Sequence, residues 1–292
     1  MSESDLKQVT IVSGKGGTGK TTTVASFAAL GRDKVIADCD VDASNLFLLM
    51  HPEDTDHGEF YGAKIAVRDW DKCTGCGMCE EYCRFDAITV DDFDELACEG
   101  CGMCVVACPT QALHLESVIV GNWYTGVSDY GPMAHARLLP AAESSGRLVT
   151  LVRQKAENLA YEHDLPLIVI DGPPGLGCTT TAALTETDLA IVVTEPSLSG
   201  IHDMERQIEL IEHFGLNAAV IINKYDINEE NSQHLRAWCG WKGLPLLGEI
   251  PWDPQVTDAL AAKQPLVENN DGPAAQAMKQ AWERTAEMIA EL

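Results

Sequence analysis

The sequence predicts an α/β protein with a mostly parallel, doubly wound sheet and a smaller inserted α+β domain. The first observation is a series of short, near-continuous apolar runs, which is typical of parallel strands covered on both faces. The second is a glycine-rich loop between one such run and a helix-like stretch. The third is a cysteine repeat that interrupts the α/β pattern, since eight of the eleven cysteines lie between residues 73 and 108.

The glycine-rich loop follows a predicted strand over residues 9–12 and precedes a helix-like stretch over residues 24–30. It fits Gly-x-x-x-x-Gly-Lys-Thr, the P-loop pattern, in which backbone N–H groups surround phosphate oxygens at a helix N-terminus. We expect Lys20 to reach the β- and γ-phosphates of ATP and the Thr21 hydroxyl to ligate Mg²⁺. The candidate nucleotide-binding residues of this loop are Gly14, Lys15, Gly16, Gly17, Thr18, Gly19, Lys20, Thr21 and Thr22.

The same loop also fits Gly-x-Gly-x-x-Gly, the fingerprint of dinucleotide-binding proteins. Asp38 and Asp40 lie about 20 residues further on, where that fingerprint places a ribose-binding acid. We favour the P-loop, because the Gly-Lys-Thr ending has no role on a cofactor that presents only a pyrophosphate.

Two further predicted strands end on acidic residues. Residues 34–37 lead to Asp38 and Asp40, and residues 167–170 lead to Asp171. Ligands of open α/β sheets bind outside the carboxyl ends of the strands. We therefore expect Asp40 to orient the attacking water and Asp171 to hold the Mg²⁺ shell. A solvated acidic turn is the alternative interpretation of the first pair.

The segment after Asp171 predicts a nucleotide-sensing switch. Pro173 and Pro174 make a stiff turn, and the amide of Gly175 is placed to sense the γ-phosphate.

The α/β pattern continues towards the end of the chain. We predict strands over 189–193 and 218–222, a helix over 201–214, an edge strand over 244–250, and a final helix that packs on its own domain. Asn223 and Lys224 follow the second of these strands, and Pro251 follows the third. We count all three among the nucleotide-binding residues, with Asn223 reading adenine; a plain turn is the alternative.

The cysteine repeat consists of two copies of Cys-x₂-Cys-x₂-Cys-x₃-Cys, the spacing of a bacterial two-cluster ferredoxin. In that arrangement three cysteines of each run bind one [4Fe–4S] cluster and the fourth binds the other cluster. The predicted ligands are Cys73, Cys76, Cys79 and Cys108 for the first cluster, and Cys83, Cys98, Cys101 and Cys104 for the second. Two zinc sites are the alternative, although zinc motifs pair Cys-x-x-Cys units across a longer gap. Arg84 stands where proline is usual.

These signals predict the domain boundaries. The α/β domain takes residues 1–60 and 117–292, and the ferredoxin-like insert takes 61–116. We expect residues 118–145 to form loop and residues 148–159 to form a helix that covers the sheet.

Charge and hydropathy narrow the classes of function. The chain has 292 residues and a formal net charge of −25, which predicts no binding to nucleic acid. It has no 18-residue apolar run and no signal-peptide pattern, so we expect no membrane insertion and a cytoplasmic location. Eleven cysteines in such a chain indicate metal binding rather than disulfides.

Lys15 together with Lys20 resembles the deviant Walker A motif of the MinD/ParA/Mrp ATPases, which have the SIMIBI variant of the P-loop fold. The order of Asp40, Asp171 and Asn223 matches that family, and the cysteine-rich stretch resembles the inserted ferredoxin domain of one of its subfamilies. The resemblance implies a dimer that sandwiches two ATP molecules, in which Lys15 reaches the opposite site. It implies that Lys15, Lys20 and Asp40 are catalytic and that Thr21 and Asp171 hold Mg²⁺.

Two positions extend or depart from that resemblance. Thr179 stands where the subfamily often has proline. Cys178 lies seven residues after Asp171, the offset of a cluster-ligating cysteine in the related nitrogenase iron protein. No second cysteine lies near residues 118–135, so we expect Cys178 to be a buried thiol. Cys39 and Cys239 are also predicted to be buried.

The favoured function is a dimeric ATP-binding and ATP-hydrolysing switch that gates electron transfer from two [4Fe–4S] clusters to a partner. The expected partners are a second copy or a related ATPase, and a redox or iron–sulfur protein. One alternative is an iron–sulfur assembly ATPase of the Mrp type, although the C-terminal Cys-x-x-Cys of that group is absent. The other is a positioning ATPase that resembles MinD or ParA.

Overall fold

The computed structural model describes residues 6–31, 33–140, 142–143, 145–268 and 270–292. The chain divides into two compact units. The first contains the described residues within 1–57, 123–137 and 144–292. The second contains those within 58–122 and 138–143, so it includes the whole predicted insert.

The described residues form a nine-stranded, mostly parallel sheet, which confirms the predicted α/β class. Its strands in chain order are β1 Lys7–Ser13, β2 Lys34–Asp38, β3 Glu53–Arg68, β4 Leu113–Ser128, β5 Gly131–Leu138, β6 Leu167–Pro174, β7 Leu189–Thr194, β8 Asn217–Asn223 and β9 Leu246–Ile250. The strand order across the sheet is β3-β4-β5-β2-β6-β1-β7-β8-β9. The pairs from β5 to β9 in this order are parallel, and β9 forms one edge, as predicted.

The described residues also form helices between and after the strands. They are α1 Lys20–Leu30, α2 Phe47–Met50, α3 Met78–Tyr82, α4 Met103–Ala107, α5 Gly146–His163, α6 Cys178–Leu184, α7 Leu198–His213, α8 Glu229–Lys242, α9 Gln255–Ala261 and α10 Pro273–Glu291. Local sequence explains several of their ends. The Ser197 hydroxyl caps the start of α7, and Gly243 ends α8 in the left-handed conformation that glycine adopts without strain.

Alternating residues of the central strands face two separate apolar cores. Ile191 of β7 packs in a core with α1 and α10, whereas Val192 packs in a second core with α7. Because side chains alternate across a strand, a continuous apolar run fills both cores at once. The final helix packs on its own unit through Met278 and Ala281, as predicted.

The prediction of a loop over residues 118–145 is wrong for most of its length. β4 extends to Ser128, and β5 occupies Gly131–Leu138. The β-branched and aromatic residues of this stretch favour strands. The glycine signal marks only the turn between them, where the Ser128 hydroxyl donates to the Gly131 carbonyl at 2.7 Å. β3 has no counterpart in the sequence prediction, because its mostly exposed edge position leaves it little apolar pattern.

The second unit is built around the cysteine repeat. Gly77 precedes α3 and Gly102 precedes α4, both with φ of +75°, so the sequence repeat is also a structural repeat. Its small core contains Ala66, Ile88 and Leu113, with cysteine side chains packed against them. Among the described residues of the chain, no helix has the length and apolar character needed to cross a bilayer.

Candidate functional site

The loop between β1 and α1 has the geometry of a phosphate-binding loop. Gly17 and Gly19 have φ of +83° and +97°, in the left-handed region that favours glycine. A Cβ on Gly19 would lie 2.2 Å from Asn223 Nδ2, and that amide donates to the Thr18 carbonyl at 2.7 Å. Asn223 therefore packs directly against the loop, and position 19 requires glycine.

The acidic residues predicted from two separate strands meet at Lys20. Asp38 of β2 is in register with Asp171 of β6, which brings both strand ends to one edge of the sheet. Lys20 Nζ lies 2.5 Å from Asp171 Oδ1 and 3.1 Å from Asp40 Oδ2. All four side chains are buried, so this is a buried cluster of three carboxyl groups around one ammonium.

Burial and mutual charge shift the pKa values of the groups in this cluster. Loss of solvent alone would lower the pKa of Lys20, but the carboxylates of Asp171 and Asp40 outweigh that effect and raise it. Burial raises the pKa of Asp38 to about 8, with a further contribution from the neighbouring Asp171. Asp38 accepts hydrogen bonds from the Ser44 hydroxyl at 2.9 Å and from the Asp40 amide.

The unsatisfied atoms of this cluster fit ATP and Mg²⁺. Thr18 Oγ1, Asp40 Oδ1 and Asp171 Oδ2 are buried without a hydrogen-bond partner. Buried carboxylate oxygens are costly unless a donor or a cation pairs with them. Burial raises the pKa of Asp171, and the nearby Thr21 hydroxyl acts against that rise, so the two predicted Mg²⁺ ligands lie close together. Hard oxygen donors of this kind suit Mg²⁺.

Lys15 belongs to a second group of charged side chains, centred on Glu195, which the sequence analysis did not identify as part of the site. Lys15 Nζ is 2.7 Å from Glu195 Oε1, and Lys224 Nζ is 3.1 Å from Glu195 Oε2. Burial alone would raise the pKa of Glu195, but hydrogen bonds from the two lysines outweigh it and lower the pKa. Glu195 directly follows β7, so an acid at a strand's carboxyl end was the signal that could have found it.

The switch segment begins inside a strand. β6 continues through Pro173 and Pro174, and the amide of Gly175 donates to the Ser13 carbonyl at 2.9 Å. Gln207 Nε2 donates to the Gly175 carbonyl at 2.5 Å and to the Ser13 carbonyl at 3.2 Å. The segment predicted to be a switch is therefore tied to the end of β1 and to α7, and the sequence did not indicate this contact of Gln207.

The prediction of a buried Cys178 is wrong, because its side chain is exposed. Cys178 is the first residue of α6, whose buried positions are Thr180, Ala183 and Leu184. With about 3.6 residues per turn, position 178 lies on the opposite face of this helix. Cys39 and Cys239 are buried, as predicted.

The last predicted nucleotide-binding residues lie near the same edge of the sheet. Lys224 Nζ contacts the Gly17 carbonyl at 3.2 Å, which ties it to the glycine-rich loop. Ile250 of β9 is in register with Asn223, so Pro251 follows at the neighbouring strand end. Thus the structure gathers the loop, both acidic strand ends, Asn223 and Lys224.

The eight repeat cysteines line two cavities in the second unit. The lining of the first cavity includes Cys73, Cys76, Cys79 and Cys108. The lining of the second includes Cys83, Cys98, Cys101 and Cys104. Each set contains three cysteines of one run and the fourth of the other, which is the arrangement that crossover ligation of two clusters needs.

Across the described ranges, no three His, Cys, Asp or Glu side chains are grouped so as to hold a single metal ion.

A family model described as "CbiA: CobQ/CobB/MinD/ParA nucleotide binding domain" matches residues 9–266. The chain therefore belongs to this family of P-loop nucleotide-binding proteins. Within it, the chain is a MinD/ParA-superfamily ATPase.

Relatives and solved structures agree with this placement. The chain is 30% identical over 287 residues to "Uncharacterized protein MJ0578" of Methanocaldococcus jannaschii, covering 97% of this chain and 98% of the relative. It is 25% identical over 280 residues to "Septum site-determining protein MinD" of Synechocystis, covering 89% and 81%. The Pyrococcus furiosus cell division ATPase MinD superposes with a TM-score of 0.60 at 20% identity, covering 97% and 99%. The Pyrococcus horikoshii MinD structure, a complex with Mg-ADP, also has a TM-score of 0.60, at 21% identity and 98% and 100% coverage. At these identities the two structures show the fold alone.

Proposed function

We propose that this ATPase is a dimeric switch that carries two [4Fe–4S] clusters and couples its nucleotide state to electron transfer to a partner protein. The observation that carries the proposal is the pair of cavities, each lined by four cysteines drawn from both runs. When bound, such clusters supply low-potential, one-electron transfer. The chain's own residues would supply the ligands and the enclosure of these clusters.

The cysteine side chains are suitably placed for this role. Cys104 is buried, and five of the other seven are partly buried, whereas Cys76 and Cys101 are exposed. The backbone amide of Ala112 donates to Cys108 Sγ at 3.2 Å, a contact that stabilises a thiolate. The small apolar core packs against several of these sulfurs and limits their contact with water.

At the candidate nucleotide site, the buried group of Lys20, Asp40 and Asp171 supports the proposed roles. Lys20 would exchange its contacts with Asp171 and Asp40 for the phosphates of ATP, which frees both carboxylates. Asp171 and Thr21 would then hold Mg²⁺, and Asp40 would orient the attacking water. Lys15 would leave Glu195 and reach the phosphates held by the other subunit of the dimer.

Metal analysis of protein purified without oxygen tests the proposal. We expect about eight irons and eight sulfides per chain and a visible absorbance that dithionite bleaches. Cys76→Ala is expected to lose about half of the iron, whereas Cys178→Ala, an exposed cysteine outside both cavities, keeps all of it. Stoichiometric zinc without visible absorbance would overturn the proposal.

The fold favours a second candidate, a positioning ATPase that resembles MinD. MinD structures match nearly the whole chain in fold, and this function needs no cluster. It predicts nucleotide-dependent dimers without stoichiometric iron, so the same metal analysis separates the two functions. The Mrp-type assembly alternative predicts instead that the clusters pass from the protein to an apo-acceptor during ATP turnover.

A further inference from the structure

The two cysteine-lined cavities differ in charge. The first cavity has the guanidinium of Arg68 in its lining. The second has no lysine or arginine in its lining, which includes the exposed residue Glu99. The two runs are otherwise close repeats in sequence and structure, so this difference is a property of the individual cavities rather than of the repeat.

Arg68 is held rigidly beside a predicted cluster ligand. Its guanidinium donates to the carbonyls of Thr89 and Val90 and to Cys79 Sγ, the last at 3.5 Å. Its other contact is the ring of Trp70, with the guanidinium carbon 4.7 Å from the ring centre. None of these partners is a carboxylate, and no ion pair to Arg68 occurs within the part of the chain that the structure describes. No carboxylate therefore pairs directly with this cation, and Asp92 and Glu95 line a neighbouring pocket with it.

We infer that Arg68 is a tuning residue, which raises the reduction potential of the cluster in the first cavity above that of the cluster in the second. This inference rests on the proposed function. Reduction adds one electron, and thus one negative charge, to a cluster. A fixed cation that hydrogen-bonds to a ligand sulfur favours the reduced form, since net charge and hydrogen bonds to sulfur both set the potential.

The consequence is a direction for electron flow within the second unit. An electron that enters at the cluster of the second cavity moves towards the cluster of the first. The indole of Trp70, which is 63% exposed, packs against the Arg68 guanidinium.

The test is a redox titration of the purified, cluster-loaded protein followed by electron paramagnetic resonance. The wild type is expected to titrate in two separate steps. In Arg68→Gln the higher potential falls, so that at a fixed applied potential the ratio of reduced to oxidised cluster drops about tenfold, or ~59 mV. The lower potential stays in place. Arg68→Lys keeps the charge and is expected to show less than half of that shift.

Two further variants keep the test decisive. Lys279→Gln removes a cation of α10, outside the lining of both cavities, and is the matched control, expected to leave the separation unchanged. Arg68→Met is the second charge-free variant, to be used if Arg68→Gln does not retain iron. Full iron content with wild-type potentials in the charge-free variant would overturn this inference alone. Absence of iron from the wild type would overturn the proposed function as well. A shift in Arg68→Lys as large as in Arg68→Gln would also overturn the inference, because geometry rather than charge would then set the potential.

Discussion

Lys15 Nζ lies 2.7 Å from Glu195 Oε1 of its own chain. The same ammonium donates to Ser197 Oγ at 3.1 Å and to Ser199 Oγ at 2.9 Å. The proposed dimer needs Lys15 at the phosphates of the opposite subunit, so these contacts must open when the dimer forms. In the proposed dimer, Glu195 would compete with the partner's ATP for this lysine.

Replacing Glu195 by glutamine is expected to favour dimerisation. The ion pair is partly exposed, with side-chain exposures of 32% and 16%, and such a pair is worth roughly 0.5–1 kcal/mol. The ATP concentration needed for half-maximal dimerisation should fall by about two- to fivefold. Light scattering during ATP-Mg titration measures this. Glu209→Gln, an exposed position on α7, is the control, and a Glu195→Gln titration that superimposes on wild type contradicts the competition.

Replacing Lys15 by alanine separates binding from turnover. The Lys15 ammonium pairs with Glu195 and takes no part in the buried group around Lys20, so nucleotide affinity should change little. ATP turnover should fall by about 10³-fold or more if Lys15 stabilises transferred charge in the opposite site. Equilibrium binding of a fluorescent ATP analogue and phosphate release measure the two properties. Normal turnover would show that Lys15 has no catalytic role.

Replacing Lys20 by alanine should damage both binding and stability. It leaves buried carboxylates at Asp40 and Asp171 without their cation, which typically costs about 3–5 kcal/mol. We expect loss of ATP binding and a lower free energy of unfolding in denaturant titrations without nucleotide. Lys7→Ala, which opens the partly exposed pair with Asp188, should cost no more than about 1 kcal/mol. Equal costs for the two variants would contradict the buried-cluster interpretation.

The raised pKa of Asp38 predicts a pH-dependent stability in the absence of nucleotide. Its pKa is about 8 in the folded protein, against about 3.9 in the unfolded chain, so the folded state binds the extra proton. The contribution is fully present below the unfolded pKa and is lost as pH rises through about 8. In Asp38→Asn the side chain is neutral at every pH, so this dependence disappears. Relative to wild type, the free energy of unfolding of the variant should rise between about pH 6 and pH 8.5, by on the order of a few kcal/mol. Denaturant titrations at three pH values test it, with exposed Glu283→Gln as the control. Parallel pH profiles for wild type and Asp38→Asn would refute it.

Nucleotide and cluster potential should be linked reciprocally. If ATP shifts the potential of one cluster, reduction must change ATP affinity by the same free energy. We expect a shift of at least about 59 mV, equivalent to about 1.4 kcal/mol and tenfold in affinity. Titrations with ADP, with a non-hydrolysable ATP analogue and without nucleotide measure the shift. Superimposable curves would favour the positioning or assembly functions.

The sequence predicted those parts of the fold in which the local hydrophobic pattern matches the burial of the residues in the folded chain. Val9 and Ile191 belong to continuous apolar runs because both faces of their strands are buried. The glycine-rich loop and the strand-end acids were predictable because their chemistry depends on spacing along the chain. The long strands β3 and β4 were not, because much of each is exposed and carries weak periodicity.

Contacts between distant segments of the chain could not be predicted from the sequence either. Glu195 draws its importance from Lys15 and Lys224, and Arg68 from Cys79 and the turn after Thr89. Nothing in the local pattern of either residue indicates those partners. Cys178 was mispredicted because a general tendency of cysteine to be buried was applied without the phase of its helix.

The neighbouring positions of β3 and β4 bear on the history of the gene. All the repeat cysteines lie between these two paired strands, so the chain leaves the sheet and returns to it at adjacent places. A segment whose ends lie close together can be gained or lost in a single insertion without re-routing the rest of the chain. The cysteine-bearing segment is thus a cassette in the topological sense, and a short turn between β3 and β4 would close the sheet without it.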